Sequence, residues 1–279
     1  MCKLLLAQNA NIEARNKYDR TPLHWASKKN CLEVCKLLIE RGANKEARDF
    51  KGFTPLRWAS QSNCIEVCKL LIERGANKEA RDFKGSTPLH WTSREGHERG
   101  CMVLLDRGAN KEAQNNDGDT PFHVACITGH VGVCTVLLEN GANMETQNKY
   151  GDTALHRASM KNSTELCKLL LEKGANIEVQ NILGHTPLHV ASNWGLERVC
   201  RVLLENGANK EAQDIESCTP LHRASIQGHT EVCKVLLEKD ANKEAPDKAV
   251  YTPLLLSAYF SNQEVCRLLL ENNVSKEGY

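Results

Sequence analysis

The sequence predicts an all-α fold, a solenoid of stacked helix-turn-helix units joined by hairpin-like loops, and three observations predict it. The tetrapeptide Thr-Pro-Leu-His begins at Thr21, Thr87, Thr186 and Thr219, and near-copies at Thr54, Thr120, Thr153 and Thr252 complete a uniform step of 33 residues. A second landmark, Gly-Ala-Asn, starts at Gly42, Gly75, Gly108, Gly141, Gly174 and Gly207, and the same slot holds Asn9, Asp240 and Asn273. No insertion breaks the register, so the 279 residues divide into a partial unit, 1–15, and eight frames: 16–48, 49–81, 82–114, 115–147, 148–180, 181–213, 214–246 and 247–279. A fixed period of this length is the mark of a repeat architecture. One array over 1–279, with no linker and no second domain, is the expectation.

Each frame is read in order as helix, turn, helix and loop. Thr21 suits the N-cap, and Pro22 suits the first helical position, where its missing N–H would be unpaired anyway. Leu23 and Ala26, three apart, fall on one face, and the short helix ends near Lys29 and Asn30. The turn slot holds Asn30, Asn63, Gly96, Gly129, Asn162, Gly195 and Gly228, residues that tolerate a left-handed backbone. The second helix, roughly 32–40, carries Val34, Cys35, Leu37 and Leu38 on an apolar stripe, and Gly42 closes it. The rest is polar and turn-rich. Helices this short are marginal alone in water, so neighbouring pairs must stack to share a core.

With the Gly-His pairs at Gly96-His97, Gly129-His130 and Gly228-His229, these landmarks resemble the ankyrin repeat family over essentially the whole chain. Departures are few: Arg57 and Leu255 replace the motif histidine, Asp240 replaces a capping glycine, and the stretch Asp214 to Cys218 lacks the usual tip glycine. The resemblance implies a non-catalytic protein-binding scaffold. It also implies that slots varying between units lie on projecting fingers and first helices lining a concave face.

Composition excludes several classes. The 36 basic and 35 acidic residues leave a net charge of +1, which supplies no electrostatic footprint for nucleic acid. Local basic spots such as Lys28-Lys29 read as solvated surface. No apolar run is long enough to span a membrane, and Met1 to Ala7 is too short for a signal peptide. Of 13 cysteines, nine recur in one apolar slot: Cys2, Cys35, Cys68, Cys101, Cys134, Cys167, Cys200, Cys233 and Cys266. Stacked helices lie about 8–10 Å apart, too far for neighbouring cysteines to bridge, so the ladder reads as free, buried thiols in a reducing compartment. Cys31 and Cys64 offer only two thiols each with their ladder neighbours, short of a four-ligand zinc site, and no metal or cofactor is expected. Cys126 continues a small-residue slot. Cys218, at a loop tip, is the candidate exposed, oxidisable thiol.

Histidines give no catalytic constellation. His24, His90, His123, His156, His189 and His222 repeat with the frame, which points to hydrogen bonds tying helix starts to loops. Only His185 lies outside the repeating histidine slots. No phosphate-binding loop, His-Glu-x-x-His or Gly-x-Ser-x-Gly is present, and Glu33, Glu66, Glu165 and Glu231 each precede a lysine by three residues as surface ion pairs. No enzyme is expected.

The unrepeated positions carry the candidate binding site. Finger stretches hold Tyr18, Phe50, Phe53, Phe83, Tyr150 and Tyr251, six of the 14 aromatic residues, although loops normally avoid such side chains and interfaces favour them. Phe50 and Phe83 share one slot, as do Ile182 and Ile215. Two apolar patches follow, the second extended by Leu183 and Trp194 and continued by Tyr259 and Phe260. Trp25, Trp58 and Trp91, in a slot otherwise filled by Val124, Val190 or Leu256, read as core. The expected molecule is a monomeric intracellular scaffold or adaptor, cytoplasmic rather than nuclear, holding a partner protein on these residues. The half-missing first repeat motivates the alternative, a targeting module cut from a larger enzyme or membrane-associated protein.

Overall fold

The computed structural model describes residues 10–271; Cys2, Asn9, Asn273 and Tyr279 lie outside them. Every described secondary-structure element is a helix. The chain forms two compact units, residues 1–143 and 144–279.

In the first unit the helices are α1 (Pro22–Lys28), α2 (Leu32–Glu40), α3 (Pro55–Gln61), α4 (Ile65–Glu73), α5 (Pro88–Arg94), α6 (Glu98–Asp106), α7 (Pro121–Thr128) and α8 (Val131–Glu139). First helices pack on first helices, α1 on α3, α3 on α5 and α5 on α7, and second helices stack likewise from α2 to α8. The second unit repeats the plan with α9 (Ala154–Ser159), α10 (Thr164–Glu172), α11 (Pro187–Asn193), α12 (Glu197–Glu205), α13 (Pro220–Gln227), α14 (Thr230–Glu238), α15 (Pro253–Tyr259) and α16 (Gln263–Glu271). Leu23, Leu56, Leu89 and Phe122 in one unit, and Leu155, Leu188 and Leu221 in the other, fill the same fully buried slot between the helix pairs.

The frame histidine does two jobs. A backbone N–H can only donate, so Thr21 N–H donates to His24 Nδ1 at 3.0 Å, and the ring proton sits on Nε2. That Nε2 then donates to Phe53 O, on the next finger, at 2.9 Å. Thr87–His90–Asp119 O, Thr153–His156–His185 O and Thr186–His189–Cys218 O repeat the arrangement. Each histidine thus caps its own helix and fastens the finger that follows. Burial pushes His90 and His189 down to about 4, against the upward pull of their carbonyl partners, so the rings are neutral at pH 7.

The cysteine slot is equally structural. From Cys35 to Cys233 every ladder thiol is buried, and Cys266 is half-buried. The buried sulfurs face the small-residue slot of their own repeats: Ser27 Oγ lies 3.9 Å from Cys35 Sγ, and Ser192 Oγ lies 3.8 Å from Cys200 Sγ. In the fourth frame Cys126 takes the serine's place, 3.6 Å from Cys134. Burial raises Cys68, Cys200 and Cys233 to about 12, so these thiols are unreactive packing groups.

Fingers are held by their first residue. Asp49 Oδ1 accepts from the N–H groups of Lys51 and Phe53, and Asn181 Oδ1 accepts from those of Leu183 and His185. Adjacent fingers bond through the backbone: Phe50 N–H to Tyr18 O at 3.2 Å, Phe83 to Lys51 O at 3.4 Å, Ile182 to Tyr150 O at 3.0 Å, and Ile215 to Leu183 O at 3.2 Å. This approach needs the tip glycine. A Cβ on Gly184 would stand 2.7 Å from Ile215 N, and its φ of +71° is left-handed. Where that glycine is missing, Asp19, Ser217 and Val250 adopt the same positive φ, 57°, 57° and 65°.

A candidate protein-docking surface on the fingers

The finger geometry sets the expected contact residues in rows. In the first unit the backbone bonds just described place Tyr18, Phe50 and Phe83 on successive finger tips. Tyr18 and Phe50 lie 5.5 Å apart between ring centroids, and Phe83 is 70% exposed. In the second unit Tyr150, Ile182, Leu183 and Trp194 border one hollow of about 320 Å³, floored by Asp152 and Arg157, whose ion pair spans 3.7 Å. Trp194, the C-cap residue of α11, is 60% exposed. Ile215, Tyr251, Tyr259 and Phe260 are exposed as well, the last two in edge contact at 5.1 Å.

Three expectations change. Phe53 is half-buried, edge-on to Trp58 at 5.7 Å and to Trp91 at 5.8 Å, so it packs inside the face and is not a projecting contact. Cys218 is only 4% exposed: its backbone carbonyl receives the His189 bond, which draws the residue under the finger, and burial lifts its thiol to about 11. Among the described residues the exposed thiol is Cys31, at the N-cap of α2. Finally, the tryptophan slot is not uniformly core. Trp58 is buried, Trp91 is half-buried and Trp25 is 39% exposed.

Sequence reasoning missed why tryptophan occurs there. The finger aspartate spends Oδ1 on its own turn, leaving Oδ2 for a donor. Trp58 Nε1–H donates to Asp49 Oδ2 at 3.2 Å, and Trp91 Nε1–H to Asp82 Oδ2 at 2.8 Å. In the seventh frame Arg223 Nε donates to Asp214 Oδ2 at 2.7 Å. Burial alone would raise the Asp214 carboxyl. The nearby His185 ring, 3.5 Å from Oδ2, and the Arg223 guanidinium outweigh it and hold the group well below the usual carboxylate range. The signal was available as an aspartate nine residues before a tryptophan or arginine.

The repeat architecture now has counterparts among known proteins. The family profile described as ankyrin repeats (3 copies) matches residues 1–82, 79–148, 141–214 and 209–277. The chain belongs to the ankyrin repeat family. Among solved structures, the ankyrin repeat domain of human ASB11 is 28% identical, with a TM-score of 0.71 over 79% of this chain and 98% of that one. No curated protein matches the chain. Ankyrin repeats are protein-binding modules, and among the described residues no helix is long and apolar enough to cross a membrane.

Proposed function

We propose that this ankyrin repeat chain is a non-catalytic protein–protein interaction scaffold or adaptor, acting as a monomer on a partner protein inside the cell. The partner sits on fingers and first helices, with Tyr18, Phe50 and Phe83 as contacts in the first unit. Tyr150, Ile182, Leu183, Trp194 and Ile215 serve in the second, extended by Tyr259 and Phe260. One observation carries the reading. Large apolar side chains stand exposed on successive fingers whose backbones are hydrogen-bonded to one another, so their positions are fixed before a partner arrives. Rigid exposed aromatics are the residues that interfaces use as anchors. Replacing Phe50, Phe83 and Trp194 with alanine should remove proteins that co-purify with the intact chain, as identified by mass spectrometry, while helical circular dichroism stays unchanged. Unaltered capture by a folded triple variant would sink the assignment.

A further inference from the structure

The first unit also carries a cationic groove of about 540 Å³ lined by its first three frames, beside the apolar finger tips. Its centre is Arg57, which occupies the frame-histidine slot. The guanidinium carbon lies 3.3 Å from the Phe53 ring centroid and 3.7 Å from that of Trp91. Only 3% of the residue is exposed, Nη1 donates to Gln61 Oε1 at 2.6 Å, and Nε has no hydrogen-bond partner. Buried donors are almost always paired, so an unpaired one lining an open groove marks a place where an acceptor is wanted.

The rim adds charge. Lys28 Nζ sits 4.6 Å over the Trp58 ring, and Arg20 lies 4.5 Å over the same ring while pairing with Asp49 at 3.3 Å. Lys51 lines the groove from the finger and rests 5.3 Å from the Phe50 ring. Neither lysine has a carboxylate within ion-pair distance among the described residues. The opposing acids are already engaged: Asp49 and Asp82 are buried under turn N–H groups and indoles, and Glu95 accepts from Gln61 Nε2 at 3.2 Å.

We infer that this groove docks an acidic segment of the partner protein, its Asp or Glu carboxylates meeting Lys28 and Lys51 and reaching toward Arg57, with apolar side chains on the neighbouring Phe50 and Phe83. Charge complementarity fixes the partner's chemistry here, whereas in the hollow beside Trp194 the two floor charges, Asp152 and Arg157, already pair with each other. A nucleic acid is the poorer fit. Stacked bases need free aromatic faces, and Trp58 and Trp91 are already covered by Arg20, Lys28 and Arg57.

The inference rests on the finger surface being the partner face, and the test separates the two. Fluorescence anisotropy of the full chain is measured with a labelled peptide of repeating Glu-Glu-Phe-Gly, its Lys-Lys-Phe-Gly counterpart and a labelled single-stranded oligonucleotide. The acidic peptide should bind tightest and weaken with salt. Lys28→Glu with Lys51→Glu, exposed or rim substitutions that spare the core, should weaken it by about tenfold or more, as expected for loss of facing charges. Lys161→Glu with Lys210→Glu in the second unit should leave it unchanged. Equal affinity for the basic peptide, tighter binding of the oligonucleotide, or indifference to the Lys28 and Lys51 changes each overturns the proposal. If the chain ignores the acidic probe yet captures a protein through Phe50 and Phe83, the acidic chemistry alone fails and the surface reading stands.

Discussion

At the scale of single residues, position in the backbone decided what residue type did not. The sequence singles out Cys218 as the loop-tip thiol and weighs Cys31 only as half of a thiol pair with Cys35. The first is drawn inward because its carbonyl is the acceptor for His189, and the second stays out at a helix start. Thiolates react and thiols do not, so the Cys218 thiol, near 11, is protected twice over. Brief alkylation of the native chain with iodoacetamide should therefore modify Cys31 well before Cys218, read by peptide mass spectrometry. Labelling of Cys218 at the rate of Cys31 would contradict the burial. The same contrast shows where sequence reading stopped. Apolar or polar character predicted the leucine slot and the cysteine ladder, which depend on periodicity alone. It misplaced Trp25, Phe53 and Cys218, whose exposure depends on cross-frame hydrogen bonds and ring stacking that no single frame displays.

At the scale of helices and turns, several contacts between consecutive frames are stapled by one side chain at the start of the second helix. His97 Nε2 reaches Gln61 O at 2.9 Å, His130 reaches Arg94 O at 3.0 Å, and His229 reaches Asn193 O at 3.1 Å. Asn262 serves the same slot, donating to Ile226 O at 2.9 Å. Cys64 is the weak member, with its sulfur 3.7 Å from Lys28 O. A thiol is a poor donor, so Cys64→His should add one full hydrogen bond, stabilising the first unit by about 1 kcal/mol. The ring has room, because His97 already works beside an asparagine, Asn63, in the turn slot that Asn30 fills here. A higher urea midpoint is the expected result, and an unchanged or lower one refutes the staple. A second staple runs through the loops: Glu13, Glu46 and Glu79 accept from the N–H of Asn44, Asn77 and Asn110, each at 2.8 Å. Both staples were written in the sequence as residues recurring 33 apart. Their partners, 36 positions away for the first and 31 for the second, become visible only when frames stack.

At the scale of the whole molecule, copying one frame multiplies its titration behaviour. His24, His90, His156, His189 and His222 are all shifted downward by burial. A base with a lowered native value binds its proton more weakly folded than unfolded. Its contribution is complete above the ordinary 6.5 and is lost as pH falls toward the native value, about 4 for His90 and His189. Each such proton is worth about 1.4 kcal/mol per pH unit within that window, so five acting together make the acid side steep. Asp214 does not blur this edge, because its contribution is lost only below the ordinary 3.8. The alkaline side belongs to the cysteines. Thiols raised from 9.0 to about 11 or 12 must ionise when the chain unfolds at high pH, so stability falls as pH climbs above 9. Arg57, lowered to about 9 by burial against the pull of Asp82 and Asp49, acts in the opposite direction but is one group against seven. Urea midpoints measured in reducing buffer should therefore form a plateau from about pH 6.5 to about pH 9, with a steep drop by about pH 5 and a decline by about pH 10.5. Equal midpoints at about pH 5 and about pH 7.5 would show that the frame histidines are not held neutral in the fold.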